Sequence, residues 1–398
     1  MNSLNEVKIV LAGIGGYGTR YVRSLLQGEG KYPIKLVGAV DPYAEKSPCF
    51  HLITERNIPI YPSLERFYEV SGADMAIIST PIQYHCPHTC LALSHGSHVL
   101  CEKPLSATVD EAIKMIEARN KANKIAAIGY QWSYSEEIQA LKQDIIRGLY
   151  GKPIRLKTLI LWPRSETYYA RGWAGKKRDS SGNLILDSVA NNATAHYIHN
   201  MFYVLGSDVN TSARPSSVTA ELYRANDIEN YDTAALKAYT DNGAELLYYG
   251  SHAVDKKAGA RFHYAFEKAD IFYDDETGGK IIAHFHNGEK KDYGNPNLNS
   301  DNKIWSAVAA ILGEGEIVCG LEAAMSQTIC INAMQQSGGD IAEFPERMIR
   351  RGALFRNNDK GLFVEGLADR LKACYDQAAL PAETGIDWAK AGELIRLN

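Results

Sequence analysis

A glycine-rich segment directly after the first apolar run constrains the fold of this chain more than any other feature. The run covers residues 7–12, and the next six residues read Gly13-Ile14-Gly15-Gly16-Tyr17-Gly18. A helix-compatible segment follows over 19–27. In such a setting Gly13 makes a tight turn, Gly15 lets the backbone approach a pyrophosphate, and Gly18 lets helix and strand pack closely. The segment predicts a dinucleotide-binding turn, in which Gly16 and Tyr17 also face the ligand. A glycine-rich turn in a nucleotide-free domain is the alternative.

The second apolar run ends in an aspartate that bears on the choice of dinucleotide. The run covers residues 34–40, and Asp41 follows it directly. A carboxylate here would accept hydrogen bonds from the adenosine ribose hydroxyls and would repel a 2′-phosphate. No arginine lies between Asp41 and Arg56 to neutralise such a phosphate. The sequence therefore predicts NAD as the cofactor in preference to NADP.

Short apolar runs alternate with amphipathic segments through about residue 128. The runs lie at 7–12, 34–40, 75–79, 98–101 and 126–129. Runs of this length suit strands covered on both faces, and the alternation suits βαβ units. Thr108-Val-Asp-Glu111 is typical of a capping box, and it predicts a helix that ends near Asn123. Right-handed crossovers then predict a parallel, doubly wound sheet, that is, a Rossmann domain over residues 1–128.

The pattern changes after Gly129. We expect helices at 135–147, 193–205, 304–312, 321–336 and 361–377, and strands at 154–162 and 184–187. Strand-like runs separated by turn signals fill residues 216–293, which indicates a mostly antiparallel sheet. The predicted fold class is α/β overall. The Rossmann domain is followed by an α+β domain over 129–345, for substrate binding and oligomerisation, and by a helical extension over 346–398.

Composition and charge exclude several classes of protein. The chain has 398 residues, a net charge of −4, and no basic run longer than Lys176-Lys177-Arg178, so we expect no nucleic-acid partner. No apolar run approaches the roughly 18–20 residues that span a bilayer, and the N-terminus enters a strand almost at once, so we expect no membrane association and no secretory signal. The seven cysteines are an odd number, which indicates free thiols in a reducing, cytoplasmic compartment.

One short cluster contains residue types that bind metals. Residues 85–90 read His85-Cys86-Pro87-His88-Thr89-Cys90. On a helix these side chains do not all point one way, and no second ligand pair lies at zinc-ribbon spacing. We therefore expect no metal.

A lysine follows the fifth apolar run at the predicted carboxyl edge of the sheet. Glu102-Lys103-Pro104 comes after residues 98–101, and Pro104 cannot pair within a central strand. Lys103 would then project into the crevice where such folds bind ligands. Beside a cationic nicotinamide its pKa would be lowered, and it could hold a substrate oxygen or join a proton relay. The alternative is a solvated surface charge.

Taken together, these motifs resemble those of the glucose–fructose oxidoreductase and inositol dehydrogenase family, called Gfo/Idh/MocA. The resemblance rests on the glycine fingerprint, the Thr80-Pro81 turn with His85 behind it, the Glu102-Lys103-Pro104 signature and Gly129-Tyr130, and it covers roughly residues 5–340. It implies a Rossmann domain, an α/β domain with an open sheet, and oligomerisation through that sheet as a homodimer or homotetramer. It also implies NAD(P)-linked oxidation or reduction of sugars or polyols. By this resemblance Thr80, Pro81, His85, Glu102 and Lys103 bind the cofactor, and the lysine contacts substrate as well.

The chain departs from the family pattern at its second catalytic element. The family carries an aspartate four residues before a histidine, whereas here Asn192 precedes His196 and the aspartate is Asp187. His196 remains the candidate acid/base because an imidazole titrates near neutral pH. Asn192 would share a helix face with it if the helix includes both residues, and would then contribute to catalysis. His199 could compete for the role or bind substrate, and either histidine could instead be a buried helix residue.

Aromatic residues alternate with arginines in the loop between two predicted strands. The loop would present apolar ring faces and polar edges to a sugar, although it could equally pack on a neighbouring subunit. The predicted substrate-binding residues are Tyr130, Trp162, Arg164, Tyr168, Tyr169, Arg171 and His199.

The sequence thus favours an NAD-dependent oxidoreductase. Hydride would pass between nicotinamide and a secondary alcohol or ketone of a sugar, sugar derivative or cyclitol, with Lys103 orienting the oxygen and His196 as acid/base. A redox-assisted, NAD-dependent glycosidase is the alternative. A non-enzymatic NAD or sugar sensor is the third hypothesis.

Overall fold

The structure is a computed structural model that describes residues 5–353 and 359–397. The chain divides into two compact units, Met1–Tyr134 with Asn299–Met325, and Ser135–Leu298 with Ser326–Asn398. This division differs from the predicted one because the segment 299–325 joins the first unit. The reason is apolar packing, since Ile304, Ala307 and Val308 lie in the same buried core as Val7 and Leu36.

Eighteen strands occur within the described residues. They are β1 Val7–Ala12, β2 Ile34–Val40, β3 Ile60–Tyr61, β4 Met75–Ile78, β5 His98–Cys101, β6 Ala126–Ile128, β7 Pro153–Leu161, β8 Pro215–Arg224, β9 Thr233–Thr240, β10 Glu245–Ser251, β11 Ala258–Phe266, β12 Ala269–Asp274, β13 Ile281–Phe285, β14 Lys290–Gly294, β15 Ala342–Glu343, β16 Ile349–Ala353, β17 Lys360–Val364 and β18 Ile395–Arg396.

Eleven α-helices occur in the same described part of the chain. They are α1 Gly18–Gly28, α2 Phe50–Thr54, α3 Leu64–Val70, α4 His85–Ser94, α5 Val109–Ala122, α6 Glu136–Ile146, α7 Glu166–Tyr169, α8 Ala195–Val204, α9 Asn302–Leu312, α10 Leu321–Gly338 and α11 Leu367–Gln377. None of these described helices is both long enough and apolar enough to cross a membrane.

The first unit contains a parallel six-stranded sheet in the order β3-β2-β1-β4-β5-β6. The predicted doubly wound Rossmann fold is therefore confirmed. The strand order reverses between β1 and β4, and ligands of such sheets bind at the carboxyl ends of the strands beside this point. The predicted capping box is also confirmed, because the Thr108 side chain accepts from the Glu111 amide and Glu111 bonds back to the Thr108 amide.

The second unit contains a ten-stranded, mostly antiparallel sheet. Its order is β14-β13-β12-β11-β7-β10-β9-β8-β15, and β18 pairs with β8. Only the β7–β10 and β8–β15 pairs are parallel. The predicted open, mostly antiparallel sheet is confirmed.

The extension predicted as helical over 346–398 contains strands as well as a helix. The antiparallel strands β16 and β17 form a hairpin, and the helix predicted at 361–377 begins only at Leu367. Gly366, with a φ of +72°, separates strand from helix. The helix α11 then packs Leu367 and Leu371 in one core with Leu159 and Leu247 of the sheet. The extension therefore covers part of one face of the sheet.

The strand predicted at 184–187 is also wrong. Only a single bridge between Leu184 and Arg178 forms there, and Leu186 has a φ of +50°, which is incompatible with a regular strand. The helix predicted at 193–205 is present as α8, but a π-helical turn, Val189–Ala193, precedes it. All seven cysteines are free thiols, as expected.

Candidate active site

The glycine-rich turn is shaped by close packing at two positions and by open space at a third. Gly13 has a φ of +86°, and a Cβ there would lie 2.5 Å from the Ser79 carbonyl oxygen. A Cβ at Gly18 would overlap the carbonyl group of Gly13. At Gly15, no atom of the described residues lies within 4 Å of the Cβ position. The turn thus packs on the end of β4 and leaves its Gly15 backbone open, as a bound pyrophosphate requires.

The helix α1 begins directly after this turn. Tyr17 occupies the N-cap position, and no side chain of the described residues caps the helix there. The amides of Gly18, Thr19 and Arg20 donate to the carbonyl oxygens of Gly15, Gly16 and Tyr17, so this end of α1 favours an anionic ligand through the helix dipole. Gly16, with a φ of +49°, lies exposed in the turn, and Thr19 Oγ1 donates to its carbonyl oxygen at 2.9 Å. The Tyr17 hydroxyl donates to Gln131 Oε1 at 3.3 Å.

The carboxylate of Asp41 lies beside the glycine-rich turn at the end of β2. Its Oδ2 accepts from the Ile14 amide at 3.1 Å, and its Oδ1 accepts from the Tyr43 amide at 2.9 Å. A carboxylate offers about four acceptor positions, so two remain for the ribose hydroxyls of a dinucleotide. Within the described residues, no arginine or lysine pairs with this carboxylate.

His85 connects the loops that follow β4 and β5. Its Nδ1 lies 2.7 Å from the Pro104 carbonyl oxygen, and its Nε2 lies 3.0 Å from that of Thr80. Burial lowers the pKa of His85, so the ring is neutral and donates to one carbonyl at a time. His85, predicted to bind cofactor, is 1% exposed, and its contacts here are those of a residue that positions the Thr80-Pro81 turn and the Lys103-Pro104 turn. Pro81 lies exposed on the first of these.

A buried ion pair behind Lys103 was not predicted from the sequence. Glu102 Oε1 pairs with Lys303 Nζ of α9 and accepts from the Tyr21 hydroxyl at 2.6 Å. Burial raises the pKa of Glu102, but the Lys303 charge and the hydrogen bonds from Lys303 and Tyr21 outweigh it and leave that pKa lowered. Glu102 therefore stays ionised. No local motif marked Lys303, which lies 201 positions from its partner.

Lys103 lies just after the carboxyl end of β5, as the sequence predicted. It is half-buried, and its amide donates to Glu102 Oε2 at 3.2 Å. The strand β5 lies between β4 and β6. Lys103 therefore lies at the sheet edge to which the glycine-rich turn, Asp41 and Thr80 also belong.

In the second unit, Asp187 is hydrogen-bonded to Asn192, the residue at which the chain departs from the family pattern. Asn192 Nδ2 donates to Asp187 Oδ1 at 2.7 Å, and the Gly175 amide donates to Asp187 Oδ2 at 2.6 Å. Asn192 lies in the π-helical turn, whereas half-buried His196 lies in the first turn of α8. The condition for a shared face, one regular helix that includes both residues, is therefore not fulfilled. The π-helical turn instead places the Asn192 side-chain amide against the Asp187 carboxylate.

The predicted substrate-binding loop brings its aromatic and basic side chains together. The guanidinium carbons of Arg164 and Arg171 lie 4.9 Å and 3.8 Å from the Tyr168 ring centroid. The Arg164 group also lies 5.9 Å from the Trp162 ring, and Trp162 Nε1 donates to the Gly259 carbonyl oxygen at 3.0 Å. The loop is thus an ordered arrangement of cations on aromatic faces.

His252 belongs to this cluster, although no motif in the sequence indicated it. The Tyr169 hydroxyl lies 3.2 Å from His252 Nδ1, and the Tyr168 and His252 rings meet edge to face at 5.6 Å. Burial, followed by the charges of Arg164 and Arg171, holds the pKa of His252 well below its ordinary value. The ring is therefore neutral. His252 is a lone histidine at the end of β10 and belongs to no recognisable sequence motif.

Two other predicted substrate-binding residues are fully buried within their own units. Tyr130 is 0% exposed in the first unit, and His199 is 1% exposed in α8. His199 stacks on Tyr203, and burial, together with the charge of Lys142, holds its pKa well below the ordinary value. These surroundings favour the alternative of a buried helix histidine for His199. In the described part of the chain, no cluster of histidine, cysteine, aspartate and glutamate could hold a metal ion.

The sheet order, the open glycine-rich turn and Asp41 together are the features of a dinucleotide-binding domain. Residues 7–130 match the family model described as "Oxidoreductase family, NAD-binding Rossmann fold". This part of the chain therefore resembles the NAD-binding domain of the Gfo/Idh/MocA family. The family description agrees with NAD as the predicted cofactor.

Similar proteins include characterised relatives that match over part of their length. The chain is 27% identical over 148 residues to 1,5-anhydro-D-fructose reductase of Ensifer adhaerens, a match that covers 37% of this chain and 42% of that one. It is 24% identical over 156 residues to a glycosyl hydrolase family 109 protein of Shewanella pealeana, with 37% and 34% covered. The chain thus spans less than half the length of these curated relatives.

The fold as a whole is similar to solved structures. The WlbA dehydrogenase of Bordetella pertussis, in complex with NADH and UDP-GlcNAcA, superposes with a TM-score of 0.70 at 18% identity, covering 84% of this chain and 96% of that one. At this level of identity the similarity shows the fold.

Proposed function

We propose that this protein is an NAD-dependent oxidoreductase that acts on a secondary alcohol or ketone of a sugar, sugar derivative or cyclitol. The observation that carries the proposal is Lys103 at the carboxyl end of β5, on the same sheet edge as the open glycine-rich turn and Asp41. A bound nicotinamide supplies the hydride acceptor or donor. The protein must then hold the substrate oxygen and move one proton.

Lys103 is proposed to hold the substrate oxygen. Its main chain is tied to Glu102, which Lys303 and Tyr21 keep ionised and fixed. An ammonium group at this edge donates a hydrogen bond to an alcohol or carbonyl oxygen and stabilises the negative charge that grows on it during hydride transfer. The buried pair therefore acts as the support that orients Lys103.

His196 is proposed to take the alcohol proton during oxidation and to return it during reduction. It lies half-buried in the first turn of α8, and an imidazole is well suited to proton transfer near neutral pH. Asn192, held by Asp187 at 2.7 Å, would orient groups beside it with neutral hydrogen bonds. The cations and rings of Arg164, Tyr168 and their neighbours would bind the polar edges and C–H faces of a sugar.

The test is turnover of a panel of sugars, cyclitols and uronic acids with NAD, followed by NADH absorbance. Lys103→Met should reduce turnover by on the order of 10²-fold or more and leave NAD affinity within a few-fold, since the lysine acts on reacting atoms. The matched control is Lys114→Met, which removes an exposed lysine of α5 and should leave turnover unchanged. Turnover of Lys103→Met within ten-fold of the parent would contradict a central role for this lysine.

A redox-assisted glycosidase is the second candidate, favoured by the similarity to the glycosyl hydrolase family 109 protein. Oxidising a glycoside beside an acidic C–H allows the leaving group to be eliminated. Addition of water and re-reduction would then complete hydrolysis without net consumption of NAD. Release of aglycone without NADH accumulation would support this candidate over the dehydrogenase. Turnover in either assay would exclude the non-enzymatic sensor. We also propose a homodimer or homotetramer, which light scattering tests directly.

A further inference from the structure

Two arginines in the loop after β7 lack an acidic partner. The guanidinium groups of Arg164 and Arg171 both stack near the Tyr168 ring, at 4.9 Å and 3.8 Å. No carboxylate of the described residues lies within 4 Å of either group, and residues 354–358 contain no acidic side chain. By contrast, Arg351 pairs with Glu166 of α7 in the same loop at 2.6 Å. The loop thus provides two positive charges that the described protein does not neutralise.

One candidate counter-charge, Asp187, already holds hydrogen bonds. The Asp187 carboxylate influences Tyr168 and Tyr169 electrostatically. Its two oxygens accept from the Gly175 amide at 2.6 Å and from Asn192 at 2.7 Å. Both oxygens thus hold hydrogen bonds, and no ion pair of the described residues joins Asp187 to Arg164 or Arg171.

Two buried donors in the same cluster also lack an acceptor. Arg164 Nε is buried, and it has no hydrogen-bond partner among the described residues. His252 is 2% exposed, and its Nε2 likewise has none, while its Nδ1 is engaged by the Tyr169 hydroxyl. When Tyr169 donates to Nδ1, the proton of the neutral ring sits on Nε2, where it can be donated. Buried donors that remain unsatisfied are costly, so a ligand that supplies acceptor oxygens would relieve both.

We infer that this cluster, formed by Arg164, Arg171, Tyr169 and His252, binds an anionic oxygen group of the substrate, so that the substrate is an acidic sugar. A carboxylate or phosphate group offers several acceptor oxygens on one centre. Guanidinium groups bind both types in a fork of two parallel hydrogen bonds. The sugar ring itself would lie on the aromatic faces of the loop. The inference rests on the proposed function, because it specifies the substrate class of that enzyme.

The experiment is calorimetric titration of the NADH-loaded full chain at constant ionic strength. The probes are D-glucuronate and D-galacturonate for the carboxylate, D-glucose 6-phosphate and inorganic phosphate for the phosphoryl group, and D-glucose and D-galactose as the neutral parents. At least one anionic probe should bind ten-fold or more tightly than its neutral parent sugar. Comparing the affinities of the uronates with those of the phosphates then identifies which anion is preferred. Arg164→Gln should weaken that probe by about ten-fold or more, the scale of a charge-assisted hydrogen bond.

Two further variants separate a binding role from a structural one. Arg164→Lys keeps the charge but loses the planar fork, so it should bind the anion with intermediate affinity. Arg178→Gln is the matched control, because Arg178 is exposed further along the same loop and donates to the Gly182 carbonyl oxygen. It should bind anions as the parent does. All variants should keep NADH affinity within two-fold, which shows that the chain is folded.

The outcomes distinguish this inference from the proposed function. If no anionic probe binds the parent more tightly than it binds Arg164→Gln, the inference is wrong. If NADH binds and neutral sugars turn over as well as acidic ones in the parent and in Arg164→Gln, the inference fails while the proposed function stands. If anions bind through Arg164 but no sugar is oxidised or reduced, the anion site stands and the proposed function fails.

Discussion

Replacing Lys303 by methionine should destabilise the first unit strongly. The side chains of Lys303 and Glu102 are only 1% and 8% exposed. Removing one partner of a buried ion pair leaves the other charge uncompensated, at a cost of about 3–5 kcal/mol. The hydrogen bond from Tyr21 to Glu102 remains, at 2.6 Å, but a neutral hydroxyl does not replace the lost charge. We therefore expect a loss of stability of that size near pH 7.

The effect should depend on pH with a definite sign. In the parent, burial raises the pKa of Glu102, but Lys303 and Tyr21 leave it lowered on balance. A lowered pKa stabilises the folded state above the unfolded pKa of about 4.3, and this stability is lost as the pH falls through the folded pKa. In Lys303→Met, burial prevails and the folded pKa is raised. The variant should then regain stability as the pH falls from the raised value toward about 4.3, so its deficit shrinks between about pH 7 and pH 5.

The assay is urea unfolding at both pH values, followed by tryptophan fluorescence. Trp305 reports on the first unit, because it stacks on Tyr32 at 3.9 Å. The double variant Lys303→Met with Glu102→Gln should recover much of the lost stability. The matched control is Lys280→Met, which breaks an ion pair with Asp292 whose side chains are 57% and 46% exposed and should cost no more than about 1 kcal/mol. A loss of stability in Lys303→Met no larger than in this control, or a double variant no more stable than Lys303→Met, would contradict a stabilising role for the buried ion pair.

Three further predictions address the cofactor, the proton and the extension. In calorimetry, NAD should bind more tightly than NADP. Asp41→Ser should reduce this difference in affinity, because the carboxylate that repels a 2′-phosphate is lost. Tighter binding of NADP to the parent would contradict this. In the oxidation direction kcat/KM should rise through about pH 6–7; His196→Gln should abolish this limb, whereas His199→Gln should retain it, since burial holds the pKa of His199 well below that range. Leu371→Ala should cost about 2–5 kcal/mol in urea unfolding, because Leu371 is fully buried. Leu298→Ala, at a residue 72% exposed, should cost less than about 0.5 kcal/mol, and equal costs would mean that the extension is not packed on the sheet.

Much of the first unit could be predicted from short stretches of sequence. The turn at Gly13 and Gly18 follows from local steric need, and the capping box at Thr108 joins groups three residues apart. The order of apolar runs then predicts a parallel sheet, because crossovers between such strands have one hand. The position of Lys103 at the end of β5 follows from the proline beside it and was predicted for that reason.

The second unit was predictable in class but not in detail. Turn signals and strand-like runs predicted the antiparallel sheet, whereas the π-helical turn that separates Asn192 from α8 had no recognisable signature. The hairpin of β16 and β17 was missed as well. Its strands are short, and each is stabilised by the other, so neither sequence alone shows the pairing.

The sequence by itself determined the cofactor-binding turn and the class of each domain, because both depend on sterics and periodicity within a few residues. Only the tertiary structure decided which distant side chains meet. Lys303 reaches Glu102 across 201 positions, and His252 reaches Tyr169 across 83. Such pairs form where helices and strands pack. Because the groups are buried there, each needs a partner for its charge or hydrogen bond. The physical reason is that the free energy of a buried pair depends on its surroundings, which no local pattern of residues records.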